Sequence, residues 1–167
     1  FGGTGAGNAL LGDTWEWDGA AWSLRASAGP GARTGASMAY DPVRGRTVLY
    51  GGSPNGATTW EWDGTAWAQR ATTGPALASN LVFDPVRGRV ALLSDGFMQQ
   101  AFEWTGAAWR EVPTSGPTGR RFETALAFDT GRSRWMLFGG ALPSGLLSDT
   151  WEWTSAPPAL QLDASFA

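Results

Sequence analysis

Four glutamates sit between aromatic residues in near-copies of one phrase: Trp15-Glu16-Trp17-Asp18-Gly19, Trp60-Glu61-Trp62-Asp63-Gly64, Phe102-Glu103-Trp104-Thr105-Gly106 and Trp151-Glu152-Trp153-Thr154. Carboxylates held against apolar rings are raw material for general acid–base chemistry, because desolvation moves a carboxyl toward neutral pH. A catalytic pair, however, needs two carboxyls in different environments, and a repeat gives every copy the same one. Arginines recur at matching distances, Arg46, Arg89 and Arg134 on one side and Arg25, Arg70 and Arg110 on the other. Cross-strand ion pairs therefore account for the glutamates, and packing accounts for the tryptophans.

The rest of the composition narrows the chemistry further. The 167 residues include neither cysteine nor histidine, which removes disulfides, thiolate nucleophiles, imidazole bases and the usual zinc or copper ligand sets. Any metal would have to be held by oxygen, and no cofactor is expected. All 12 basic residues are arginine, scattered singly or in pairs within a net charge of −3, so no basic stripe exists to neutralise a nucleic-acid backbone. No apolar run approaches the roughly 20 residues of a membrane span. The glycine-rich stretch Gly2-Gly3-Thr4-Gly5-Ala6-Gly7 resembles a phosphate loop, but no Gly-Lys-Ser/Thr follows it. Asp18, Asp41, Asp63, Asp84 and Asp129 stand in turn contexts and are expected to be turn formers.

The phrases recur at spacings of 45, 42 and 49 residues, the period of a repeat protein. Each unit reads as four short strands. The first covers Thr34 to Asp41, Ala78 to Asp84 and Thr124 to Asp129, and a turn such as Asp41-Pro42-Val43-Arg44-Gly45-Arg46 follows it. The second is apolar, as in Thr47-Val48-Leu49-Tyr50, and ends in Gly51-Gly52 or Gly139-Gly140, with Gly2-Gly3 as the remnant of an earlier copy. The third is the Trp-Glu-Trp strand, whose alternation puts both tryptophans on one face and the glutamate on the other. A tight turn leads to the fourth, marked by Trp22, Trp67 and Trp109. With no helical period anywhere, the reading is an all-β chain of four-stranded antiparallel meanders.

An apolar strand ending in Gly-Gly, a variable loop, an aromatic strand and a tryptophan on the last strand together resemble the bacterial kelch repeat, over residues 1 to 153. The resemblance implies a β-propeller, here about three and a quarter blades: 1–25 a partial blade, 26–70 and 71–112 full blades, and 113–153 a blade lacking its last strand. Closed propellers use roughly four to eight blades. The expectation is therefore a segment of a longer protein or, failing that, a ring assembled from several chains. Residues 154–167 read as a substitute fourth strand or a linker to another domain. One departure from the family is that its first strand often carries a histidine where this chain has Ala36, Ser79 and Thr124. The galactose oxidase family shares the kelch-like propeller, but its copper chemistry needs His and Cys and is excluded for these residues.

In a four-stranded meander the second-to-third loop and the link to the next unit share one end, and here that end varies in length and content while the other is nearly uniform. The third unit departs most, with Ser94-Asp95 in place of Gly-Gly, then Gly96-Phe97-Met98-Gln99-Gln100. Asp95, Phe97, Gln99 and Gln100, with Arg33, Arg121 and Glu123 from the links, form the candidate binding rim. The functional expectation is a non-catalytic module presenting loops to a protein or glycan, in a secreted or cell-surface bacterial protein, with no nucleic acid and no membrane insertion. The alternatives are a propeller-enzyme fragment, either a carboxylate-based hydrolase or lyase or an oxygen-ligated metal site using Asp95 and Glu123, and a purely structural spacer.

Overall fold

The structure is a computed structural model that describes residues 1–76, 78–94, 100–112, 121–156 and 159–166. Among these residues the chain is all-β, with five antiparallel sheets of two to four strands, none of them closed. A small ribbon pairs β1 (Gly3–Thr4) with β2 (Leu10–Leu11). Sheet I pairs β3 (Thr14–Trp17) with β4 (Trp22–Ala26). Sheet II contains β5 (Thr34–Asp41), β6 (Arg46–Ser53), β7 (Thr59–Trp62) and β8 (Trp67–Ala71). Sheet III contains β9 (Ala78–Asp84), β10 (Arg89–Ser94), β11 (Ala101–Trp104) and β12 (Trp109–Val112). Sheet IV contains β13 (Ala125–Asp129), β14 (Arg134–Leu142), β15 (Gly145–Ala156) and β16 (Ala159–Phe166). In sheets II to IV each strand pairs with its sequence neighbour.

The turns form for the reason the residue types suggest. Asp41 Oδ1 accepts hydrogen bonds from the backbone N–H of Val43 at 3.0 Å and Arg44 at 3.1 Å, and Asp84 Oδ1 repeats this with Val86 at 2.9 Å and Arg87 at 3.1 Å. Asp63 Oδ1 closes the opposite kind of turn by accepting from Thr65 and Ala66, each at 2.9 Å. These local bonds satisfy donors that a four-residue connection leaves outside the ladder.

Period-2 alternation gives sheet III two apolar faces, and each meets a neighbour. Val48 and Tyr50 of β6 pack against Leu81, Val90, Leu92 and Trp104 of sheet III. On the other side of sheet III, Ala91, Leu93, Ala101 and Val112 pack against Trp135, Leu137 and Trp153 of sheet IV. The Trp-bearing face of each of these sheets thus looks back to the preceding sheet, and the glutamate-bearing face looks forward to the next. The first strands of sheets II, III and IV also touch: Leu81 N–H donates to Ser37 Oγ at 2.8 Å, and Asn80 Nδ2 donates to Thr124 O at 2.6 Å.

Candidate functional site

The glutamates are joints between sheets. Glu61 is buried and accepts from Arg44 Nη1 at 2.5 Å, Arg70 Nε at 2.9 Å and, across the sheet interface, Trp104 Nε1 at 2.8 Å. Burial alone would push the Glu61 carboxyl up, but the hydrogen bonds from Arg44 and Trp104 and the charges of Arg44 and Arg70 outweigh it, and the group titrates below the usual carboxylate value. Glu16 pairs with Arg25 at 3.1 Å and accepts from Trp62 Nε1 at 2.8 Å, Glu103 pairs with Arg87, and Glu152 pairs with Arg132 at 2.8 Å. Arg25 and Arg70 pair with Glu16 and Glu61 as the cross-strand spacing suggested. On the other side the turn residues Arg44, Arg87 and Arg132, two positions before Arg46, Arg89 and Arg134, pair with Glu61, Glu103 and Glu152. The turn places the earlier arginine over the glutamate face, a placement that linear spacing does not encode.

The fourth-strand tryptophans of sheets II and III also reach back to the preceding sheet. Trp67 Nε1 donates to Thr14 Oγ1 at 2.8 Å, and Trp109 Nε1 donates to Thr59 Oγ1 at 2.9 Å. Sheet III has Ala101 where sheets I and II have those threonines, and β16 brings no tryptophan to ask for one.

The rim residues are dispersed among separate local networks. Arg33 is 1% exposed: its Nη1 donates to Gly51 O at 2.8 Å and Thr58 Oγ1 at 3.1 Å, its Nε to Gly31 O at 3.2 Å and its Nη2 to Pro30 O. Arg121, also buried, is its counterpart in sheet IV, with Nη1 donating to Gly139 O at 3.1 Å and both amino groups gripping Asp149 at 2.6 and 2.5 Å. Both arginines clamp an inter-sheet link to the first glycine of the Gly-Gly pair and to the residue two before the Trp-Glu-Trp phrase. The Arg121 guanidinium holds the Asp149 carboxyl down to about 2. Glu123 is exposed with φ +53°, where sheet II has Gly35 at φ +68°, so a side chain is forced into the left-handed region. Gln100 Nε2 donates to Glu111 Oε1 at 2.9 Å. Asp95, Phe97 and Gln99 lie outside the described residues.

Sheet III shows what replaces the clamp. At the position of Arg33 and Arg121 it has Ala76, and at the position of Gly51 it has Ser94. Ser94 N–H donates to Gln100 O at 2.9 Å, as Gly51 N–H donates to Thr58 O in sheet II, and Gln100 N–H adds a bond to Ser94 Oγ at 3.2 Å. In sheet III the arginine and the glycine that accepts from it in the other sheets are thus both replaced.

The loss of the arginine also accompanies a concavity. Between the β6–β7 loop and the link into sheet III lies an open cleft of about 570 Å³, lined by residues that include Thr34, Tyr50, Gly52, Ser53, Pro54 and Ala76. Among the described residues its lining consists of small, apolar and hydroxyl-bearing residues, with no charged side chain. Tyr50 forms one wall; its hydroxyl donates to Pro75 O at 2.6 Å, and burial pushes its pKa up to about 12, so it stays a neutral donor. Gly52, at φ +88°, belongs there because a Cβ would stand 3.0 Å from that of Ala36 and 3.1 Å from Thr34 O. Variation of the Ser53 to Ala57 loop marked this end in the sequence; the cleft itself needed the facing link, which only the fold sets opposite that loop.

The chain matches no protein-family model, and no curated protein sequence matches it.

Proposed function

We propose that the chain is a non-catalytic binding module, an arc of a kelch-like β-propeller that presents its loop-end cleft to a protein segment or a glycan, as part of a secreted or cell-surface bacterial protein. The observation that carries this reading is the cleft between the β6–β7 loop and the Pro75–Ala76 link: it is large enough for a few residues or sugar units, and neutral. The charged groups nearest to it in sequence are spent inside the fold, Arg33 on three carbonyls and a threonine hydroxyl. An uncharged ligand, recognised by apolar contact and by backbone and hydroxyl groups, fits such walls. The propeller part of the reading is supported by three four-stranded meanders in chain order and by first strands that contact one another between successive sheets, as strands around a common axis do.

The test fills the cleft. Ala76→Trp and Thr34→Trp, both at exposed lining positions, are expected to abolish binding to whichever member of a panel of neutral oligosaccharides and uncharged peptides the parent chain retains, with melting temperature unchanged. Binding that survives both substitutions, or a parent that retains no member of the panel, overturns the proposal.

A further inference from the structure

The two arginine clamps differ in the residue two before the Trp-Glu-Trp phrase. In sheet IV that residue is Asp149, and its carboxylate gathers donors from Arg121 Nη1 at 2.6 Å, Arg121 Nη2 at 2.5 Å and Trp151 Nε1 at 2.7 Å. The Arg121 guanidinium also stands over the Trp151 ring, 5.8 Å from its centroid. Sheet I keeps the indole half of the arrangement, with Trp15 Nε1 donating to Asp13 Oδ2 at 2.6 Å. Sheet II has Thr58 at this position, so the carboxylate is missing there.

The donors are still present. Arg33 is 1% exposed, and every acceptor it meets among the described residues is a carbonyl or the Thr58 hydroxyl, none of which carries a charge. Its Nη2 donates only to Pro30 O, which leaves the second N–H of that nitrogen without an acceptor. Trp60 Nε1, the counterpart of Trp151 Nε1, is buried and has no hydrogen-bond partner among the described residues. Burial lowers the Arg33 pKa, but a guanidinium keeps its proton in a protein. A buried positive charge with no counter-charge is unfavourable, and an unpaired buried indole N–H adds to the cost. The place adjoins solvent: Thr58 is half-buried, and its neighbours Gly56 and Ala57 line the open cleft together with Gly51.

We propose that Arg33, Trp60 and Thr58 bind a small, singly charged anion, a carboxylate or a halide, which takes the part that Asp149 plays in sheet IV. Arg33 supplies the charge and the spare Nη2 N–H, and Trp60 supplies the indole N–H. Thr58 turns its hydroxyl proton to the anion while its oxygen keeps the bond from Arg33 Nη1 at 3.1 Å. This site does not require the cleft to hold a ligand. The test follows melting temperature against sodium formate or sodium chloride, with sodium methanesulfonate at equal ionic strength as a bulkier anion of the same charge. A ligand of the folded chain alone raises the melting temperature with its concentration, so the parent is expected to climb in formate and chloride above methanesulfonate. Thr58→Asp carries its own carboxylate; it should melt higher than the parent in methanesulfonate and gain nothing further from formate or chloride. Thr58→Asn, of the same shape without the charge, should keep the parent's dependence. A parent that melts alike in all three salts overturns the proposal, as does a climb in Thr58→Asp equal to the parent's. Should Thr58→Asp fail to fold, calorimetric titration of the parent with formate decides, a saturable one-to-one heat supporting the site and no saturable heat overturning it.

Discussion

Trp17 and Trp104 stand at the same place of the same phrase, yet Trp17 is 51% exposed and Trp104 has no exposed surface. Trp104 looks onto sheet II, where Val48, Tyr50 and the Glu61 carboxylate receive it, while among the described residues no sheet lies against the corresponding face of sheet I. The glutamates differ in parallel: Glu61 is buried among two arginines and an indole, and the Glu16–Arg25 pair is about half exposed. One sequence phrase therefore has two energetic roles, and the neighbour decides which. A repeat strand brings donors and an apolar face, but they become stabilising only when the next sheet supplies acceptors and excludes water.

The largest test of that contrast is truncation. Trp104→Ala should destabilise the chain by about 3–5 kcal/mol in urea unfolding, through the cavity left in a core that cannot collapse, and Trp17→Ala by less than about 1 kcal/mol. Equal costs would break the comparison. Next come the carboxylates. Glu61→Gln is expected to cost about 2–3 kcal/mol, less than a fully buried pair because Arg44 and Arg70 keep some hydration, while Glu16→Gln costs about 0.5–1 kcal/mol.

The smallest effect is in acid. Glu61 lies below its usual 4.5 and Asp149 falls from 3.8 to about 2, so each is lower in the folded chain than in the unfolded one. A depressed carboxyl contributes stability that is present above the unfolded value and is lost as pH falls through the folded one. Stability should thus decline between about pH 4.5 and pH 2. Asp149→Asn should flatten the lower part of that decline and Glu61→Gln should reduce its total, as followed by urea midpoints at each pH.

Much of the architecture was legible because β structure writes itself locally. Alternation in Trp-Glu-Trp, Asp-Pro and Asp-Gly turns and the Gly-Gly ends placed the four-strand units, and β5 and β9 begin and end where the pattern put them. The candidate rim was less legible. Arg33 and Arg121 are charged, stand in links and read as surface, but each closes a buried clamp onto a glycine carbonyl. Burial of an arginine depends on carbonyls 18 residues away, and nothing in its own neighbourhood announces them. The cleft beside Tyr50 was legible only as a variable loop, since its other wall comes from a link about 20 residues further on that only the fold brings opposite it.

The sequence by itself determined the strand order, the turn chemistry and the two-faced character of each sheet, because these depend on side-chain alternation and on bonds between residues a few positions apart. Tertiary structure alone decided which arginine meets which glutamate, which tryptophans are sealed from water and which remain open at sheet I, and where a concavity is left. Those outcomes depend on which surfaces lie opposite one another, and hydrophobic and electrostatic energies are set by what faces a group once water has been excluded.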